Sequence, residues 1–114
     1  MLKKNHRLAK TTAVQAALKA GRGFFAPMFN CRVLAKTSGQ SRFTVVVSTK
    51  VDKRAVKRNR LKRLVREFIR HRLNLFVPAD YVIMLRPLAA KTPEDKFLAG
   101  LKDSLIKWRL LKND

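Results

Sequence analysis

A chain of 114 residues suits a single domain, and 46% apolar residues are enough to close one core. Lys and Arg number 27 against seven Asp and Glu, and a compact chain carrying +20 favours a polyanionic partner that offsets its self-repulsion. The apolar runs are strand-sized, which argues against a membrane span, and the single Cys31 excludes an internal disulfide and fits a reducing compartment.

The first ten residues form a basic lead-in without the apolar stretch of a secretory signal, and are expected to be mobile or loosely docked. Thr12 to Gln15 has capping-box spacing, Val14, Ala17 and Leu18 share one face, and Gly21 is placed to end a short first helix. After Pro27, the residues Phe29, Cys31, Val33 and Ala35 alternate with Asn30, Arg32 and Leu34, the pattern of a half-buried strand. Residues 38–41 read as a turn, and Phe43 to Ser48 as a second strand paired with the first. A helical pattern follows from Arg54 to Phe76, its stripe made by Leu61, Leu64, Val65, Phe68 and Ile69, with Pro78 ending it. Tyr81 to Leu85 is an unbroken apolar run and therefore a buried strand. Thr92-Pro93-Glu94-Asp95 predicts a last helix with Thr92 as N-cap and Pro93 in its first position. Its inner face is Phe97, Leu98, Leu101, Leu105 and Trp108, and residues 109–114 are expected to fray. The whole is an α+β domain spanning 1–114, with about four strands in a small sheet packed by three helices.

Charge concentrates on the long helix. Lys53 to Arg72 holds ten Lys and Arg and one acid, Glu67. Arg54, Arg58, Lys62, Arg66 and Arg70 fall in one row at four-residue spacing, with Arg63 beside it and Asn59 one turn earlier. Such a row repels itself unless phosphates neutralise it. Arginine suits that task because its planar fork engages phosphate bidentately and stacks on bases, and Asn59 adds hydrogen bonds to sugar or base edges. A solvated basic face and a membrane-surface helix are the competing readings. No helix-turn-helix or zinc-ligand spacing accompanies the row.

At these residues the sequence resembles the protein component of bacterial ribonuclease P. The segment AVKRNRLKRLVRE, Ala55 to Glu67, is similar to that family's signature, and the likeness extends to Arg42, to Ser48 through Lys50, to Asp80 through Ile83, and to the last helix. The resemblance implies a fold like ribosomal protein S5 domain 2, with the signature helix making a left-handed βαβ crossover between parallel strands. It also implies a cytoplasmic protein that binds ribonuclease P RNA one to one, together with precursor tRNA and its single-stranded 5′ leader. The RNA is then the catalyst of leader removal, using Mg²⁺ that it holds mainly itself. Arg54, Lys57, Arg58, Asn59, Arg60, Lys62, Arg63, Arg66 and Arg70 become the RNA-binding set. Val14, Leu18, Phe29, Arg32 and Lys50 become candidates for the leader cleft.

Several positions depart from the family pattern. Val14 and Leu18 stand where two first-helix phenylalanines are frequent, which removes stacking of roughly 1–3 kcal/mol per base. Thr44 replaces a glycine, Thr49-Lys50 replaces paired lysines, and Arg32 stands where an aromatic is common. Phe24 and Phe25 either replace that aromatic surface or belong to the core. A ribosomal or ribosome-assembly protein of related fold is the alternative function. No catalytic set or metal site is expected of the chain itself: His6 and His71 have no evident carboxylate partner, and Asp52 and Glu67 would hold Mg²⁺ only with phosphates completing the site.

Overall fold

The computed structural model describes residues 6–8, 11–36 and 40–113. Helix α1 (Thr11–Ala20) leads into strands β1 (Arg22–Phe25), β2 (Phe29–Ala35) and β3 (Arg42–Val46). Helix α2 (Ala55–Arg70) and a 3₁₀ turn (Leu73–Leu75) precede β4 (Ala79–Leu85), α3 (Pro87–Lys91) and α4 (Glu94–Lys107).

The sheet order is β1-β2-β4-β3. β2 is antiparallel to β1 and β4, while β3 and β4 run parallel. Parallel neighbours need a crossover, and α2 supplies it. The expected pairing of β3 with β2 is therefore corrected, because β4 lies between them. Six of the seven β4 residues are buried, so only a strand covered on both faces and both edges accommodates them. The hairpin partner of β2 is β1, a strand the sequence reading missed; the Ala26 N–H donates to the Phe29 carbonyl at 2.9 Å to close their turn.

The two sheet faces bury unequal cores. On one face Phe29, Cys31 and Val33 of β2, Phe43 and Val45 of β3, and Tyr81, Ile83 and Leu85 of β4 pack against α2 and α4. Leu61, Val65, Phe68 and Ile69 are the buried stripe of α2, and Phe97, Leu101 and Leu105 that of α4. On the other face α1 lays Ala13, Val14 and Ala17 over Leu34, Val82 and Met84. The result is three layers, α1, sheet, then α2 with α4.

Element ends differ from expectation in physical detail. α1 begins at Thr11, so Thr12 lies inside the helix rather than capping it. α2 stops at Arg70, six residues early, because the 3₁₀ turn swings Phe76 into the core to bridge Leu111. Pro93 is the N-cap position of α4, and the Thr92 hydroxyl instead donates back to the Leu88 carbonyl of α3, a helix not foreseen. Residues 109–113 are docked rather than frayed: Leu110 and Leu111 are buried, and the Lys112 N–H donates to the Leu75 carbonyl at 2.8 Å. In the lead-in, Leu8 is buried and its N–H donates to Phe43 O on the β3 edge. Residues 1–5 and 9–10 of the lead-in and residues 38–39 of the expected 38–41 turn lie outside the described residues.

Candidate nucleic-acid interface

Asp52 organises the start of α2. Its carboxylate accepts the Arg54 backbone N–H at 2.9 Å and the Arg54 guanidinium at 3.0 and 2.9 Å. Hydrogen bonds from the Arg54 side chain and backbone hold this carboxyl down at about 2. One turn later the Arg58 guanidinium donates to the carbonyls of Asp52 and Lys53 at 3.0 and 2.8 Å. Both arginines thereby brace the loop that enters the helix.

The apolar stripe of α2 divides its cations into two flanks. On the flank facing α4, Arg60 donates from Nε and Nη2 to both oxygens of Glu94 at 2.6 and 2.7 Å. The Arg60 hydrogen bonds and charge hold the Glu94 carboxyl below its ordinary value. On the other flank stand Arg58, Lys62 and Arg66, with Asn59 and Arg63 at its outer margin. Among the described residues no ion pair engages Lys62, Arg63 or Arg66. Together with Asn59 and Glu67 these three line a shallow hollow of about 230 Å³. At the helix end Arg70 pairs with Glu67 at 2.9 Å, and His71 Nε2 lies 3.6 Å from the same carboxylate. His71 thus has the carboxylate neighbour that sequence alone did not reveal.

The arrangement suits binding of extended phosphates. A row of uncompensated guanidinium and ammonium groups, spaced about one helical turn apart, meets a polyanion without first breaking internal ion pairs. The carboxylate that lines the hollow, Glu67, is engaged by Arg70. The donor set for a divalent cation is also poor, since Asp52 is occupied by Arg54 and Glu67 by Arg70. Among the described residues no three His, Cys, Asp or Glu cluster together. Cys31 is fully buried in the core, where desolvation pushes its thiol up to about 12.

The cleft candidates divide. Val14 packs half-buried against the sheet, and Leu18, one turn on, is 39% exposed beside it. Arg32 lies on the same sheet face and donates from Nη1 to the Gly21 carbonyl at 3.3 Å, at the end of α1. Lys50 is exposed in the turn between β3 and α2. Phe29 is the correction: it is 0% exposed on the opposite face, against Trp108. Its alternation with Cys31 and Val33 already placed it there.

The α1 face contains residues the sequence reading missed. Phe25, Asn30, Met84 and Val46 are cross-strand neighbours in one row over all four strands. Phe25 is 67% and Val46 42% exposed, and the Asn30 Oδ1 is buried without a hydrogen-bond partner. The adjacent phenylalanines therefore split, Phe24 half-buried against Trp108 at the margin of the core and Phe25 outward on the α1 face. The signal available was the period-2 pattern: once Cys31 and Val33 are inward, Asn30 and Arg32 must line the other face.

The family model described as Ribonuclease P matches residues 2–109. A ribonuclease P protein component from a Synechococcus species is 44% identical over 77 residues, covering 58% of this chain and 61% of that protein. That of Xylella fastidiosa is 39% identical over 83 residues, again over 61% of its length, so these two alignments leave more than a third of each relative unmatched. The Synechococcus elongatus protein is 34% identical over 112 residues and is matched over 92% of its length. The fold is similar to that of a Staphylococcus aureus RNase P protein, with a TM-score of 0.87 at 22% identity over 96% of this chain and 100% of the other. No helix among the described residues is long and apolar enough to cross a membrane.

Proposed function

The chain belongs to the ribonuclease P protein family, and from that premise we propose that it is the RNA-binding subunit of a bacterial ribonuclease P. In this reading it joins one ribonuclease P RNA and the precursor tRNA in the cytoplasm, and the RNA removes the 5′ leader. The observation that carries the proposal is the flank of α2 on which Lys62, Arg63 and Arg66, beside Asn59, carry no competing ion pair among the described residues.

Physically, the role is charge neutralisation between two RNAs that otherwise repel each other. Each cation that meets a phosphate releases condensed counterions, and the affinity follows from their dilution into bulk. Arg58, Lys62, Arg63 and Arg66 would make those contacts, while Asn59 offers a donor and an acceptor to sugar or base edges. Lys57 and the paired Arg54, Arg60 and Arg70 add to the surrounding field. Mg²⁺ in this reading belongs to the RNA, because Asp52 and Glu67, the carboxylates beside the basic row, are already held by arginines.

The 5′ leader would run over the opposite face, along Leu18, Arg32 and the row from Phe25 to Val46, with Lys50 as a candidate contact in the turn before α2. Val14 would support the α1 wall from beneath. Phe25 is the exposed aromatic that can stack on a leader base in place of the missing first-helix phenylalanines.

The test is cleavage of a precursor tRNA by bacterial ribonuclease P RNA at low Mg²⁺, with and without this protein. Accurate 5′ cleavage restored by the protein, and none by the protein alone, supports the subunit reading. Failure of a folded sample to rescue a cognate RNA would transfer the reading to a ribosomal RNA partner.

A further inference from the structure

A second basic surface lies away from both of these regions. Between the β1 edge and the end of α4 the protein has a cleft of about 630 Å³, which shares no lining residue with the α2 flank. The size is within the range of small-molecule and cofactor sites. Its aromatic wall is Phe24 and Trp108, whose ring centroids lie 5.2 Å apart, and Trp108 is supported from the core by Phe29 at 5.3 Å. Val33 and Leu110 give it an aliphatic floor.

Three cations and no carboxylate line this cleft: Arg22, Lys107 and Arg109. Arg22 lies over the Phe24 ring, 5.3 Å from its centroid, which places a guanidinium at the aromatic wall. A helix C-terminus ordinarily disfavours an anion. At this one the carbonyls of Ser104 and Ile106 accept the N–H groups of Trp108 and Arg109, and that of Leu105 accepts those of Leu110 and Leu111. Arg109 also holds a left-handed backbone, φ 61°, where a glycine is the usual occupant of a helix end. An aromatic wall in a cleft that three cations also line is complementary to one ligand class, an aromatic base carrying phosphate.

We propose that this cleft binds a nucleotide, its base against Phe24 and Trp108 and its phosphate held by Arg22, Lys107 and Arg109. The site stands independently of the docking role of α2. The nucleotide is either free or one unit of a single RNA strand, and the chemistry of recognition is the same.

Trp108 is the only tryptophan in the chain, so its fluorescence reports on the site directly. Adenosine monophosphate, titrated into the full-length protein, is expected to quench that emission saturably. Adenosine and ribose 5-phosphate should each bind at least tenfold more weakly. The double variant Arg22→Glu/Lys107→Glu, and the milder Arg22→Gln/Lys107→Gln as a check on folding, should weaken the monophosphate at least tenfold and severalfold respectively. Lys62→Glu/Arg66→Glu on α2 should leave this affinity unchanged. An oligoadenylate that binds at least tenfold more tightly, and loses that advantage in the Arg22/Lys107 variants, assigns the ligand to a strand; equal affinity assigns it to the free nucleotide. Absence of quenching, ribose 5-phosphate binding as tightly as the monophosphate, or equal losses in the α2 and cleft variants would overturn the proposal.

Discussion

Arg60 and Glu94 clasp each other across two helices, with both guanidinium–carboxylate hydrogen bonds under 2.8 Å. The pair turns one arginine of the Arg58-Asn59-Arg60 triplet away from solvent phosphates and toward α4. Arg63→Ala and Arg66→Ala should therefore each weaken binding to ribonuclease P RNA by roughly tenfold and reduce the salt slope by about 0.7–0.9. Arg60→Ala should cost clearly less, and Lys96→Ala, on α4, least. Filter binding over a salt series measures all four, and equal losses throughout would sink the idea that one flank of α2 is the docking face.

Asp80 is 4% exposed yet ionised, gripped by Arg42 at 2.9 and 2.7 Å and by Lys36 at 3.5 Å. Burial alone would raise this carboxyl, but the hydrogen bonds and charge of Arg42, with Lys36, outweigh it and hold it below its ordinary value. A depressed folded value means stability present above the unfolded value, near 3.9, and lost as pH falls through the folded one. Asp80→Asn should cost about 1–3 kcal/mol at pH 7, since the arginine loses its charged acceptor. Urea midpoints at pH 7 and pH 3 test this: the gap between the two proteins should narrow at the lower pH, and a constant gap would refute the linkage.

The left-handed backbone at Arg109 predicts a gain. Glycine adopts φ 61° freely, so Arg109→Gly should stabilise the fold by about 0.5–1 kcal/mol after its unfolded-state entropy is counted. Arg109→Val should move the other way. Thermal melts would record a rise of a few degrees for glycine, and a fall for both variants would contradict the assignment.

Two glycines predict opposite outcomes for the same change. A Cβ on Gly21 would lie 2.1 Å from the Ala17 carbonyl oxygen, a backbone atom at the junction of α1 and β1. Gly21→Ala should cost about 1–3 kcal/mol. A Cβ on Gly100, inside α4, meets only the terminal methyl of Met28 at 2.3 Å, and that flexible side chain can swing aside. Gly100→Ala should therefore be neutral or stabilising by up to about 1 kcal/mol, as helix propensity predicts. Chemical denaturation of both variants decides it.

Much of this architecture is legible in the chain because its apolar spacing is strong. The stripe Leu61, Val65, Phe68 and Ile69 and the unbroken run from Tyr81 to Leu85 announce one helix and one central strand. Pairing was harder, since the partners of β4 lie far away in sequence and local pattern carries no register between distant strands. β1 escaped notice because four residues containing Gly23 are too short for alternation to show. Within the site, the basic row was readable from spacing alone. Which cations are free was not, because that depends on Glu94, 34 residues from Arg60. Phe29 was misplaced in the cleft when a likeness outweighed the chain's own period of two.

The position of β4 also has a consequence for synthesis. Every hydrogen bond that joins the β1-β2 hairpin to β3 runs through a strand that leaves the ribosome after all three. Until residues 79–85 emerge, the nascent chain holds a hairpin, a lone strand and an α2 whose arginines have no sheet behind them. An isolated hairpin is marginal in water, so the domain has no stable half-built form. Its folding waits on the insertion of one late strand, and the loop closed in that step makes it a topology of non-local contacts.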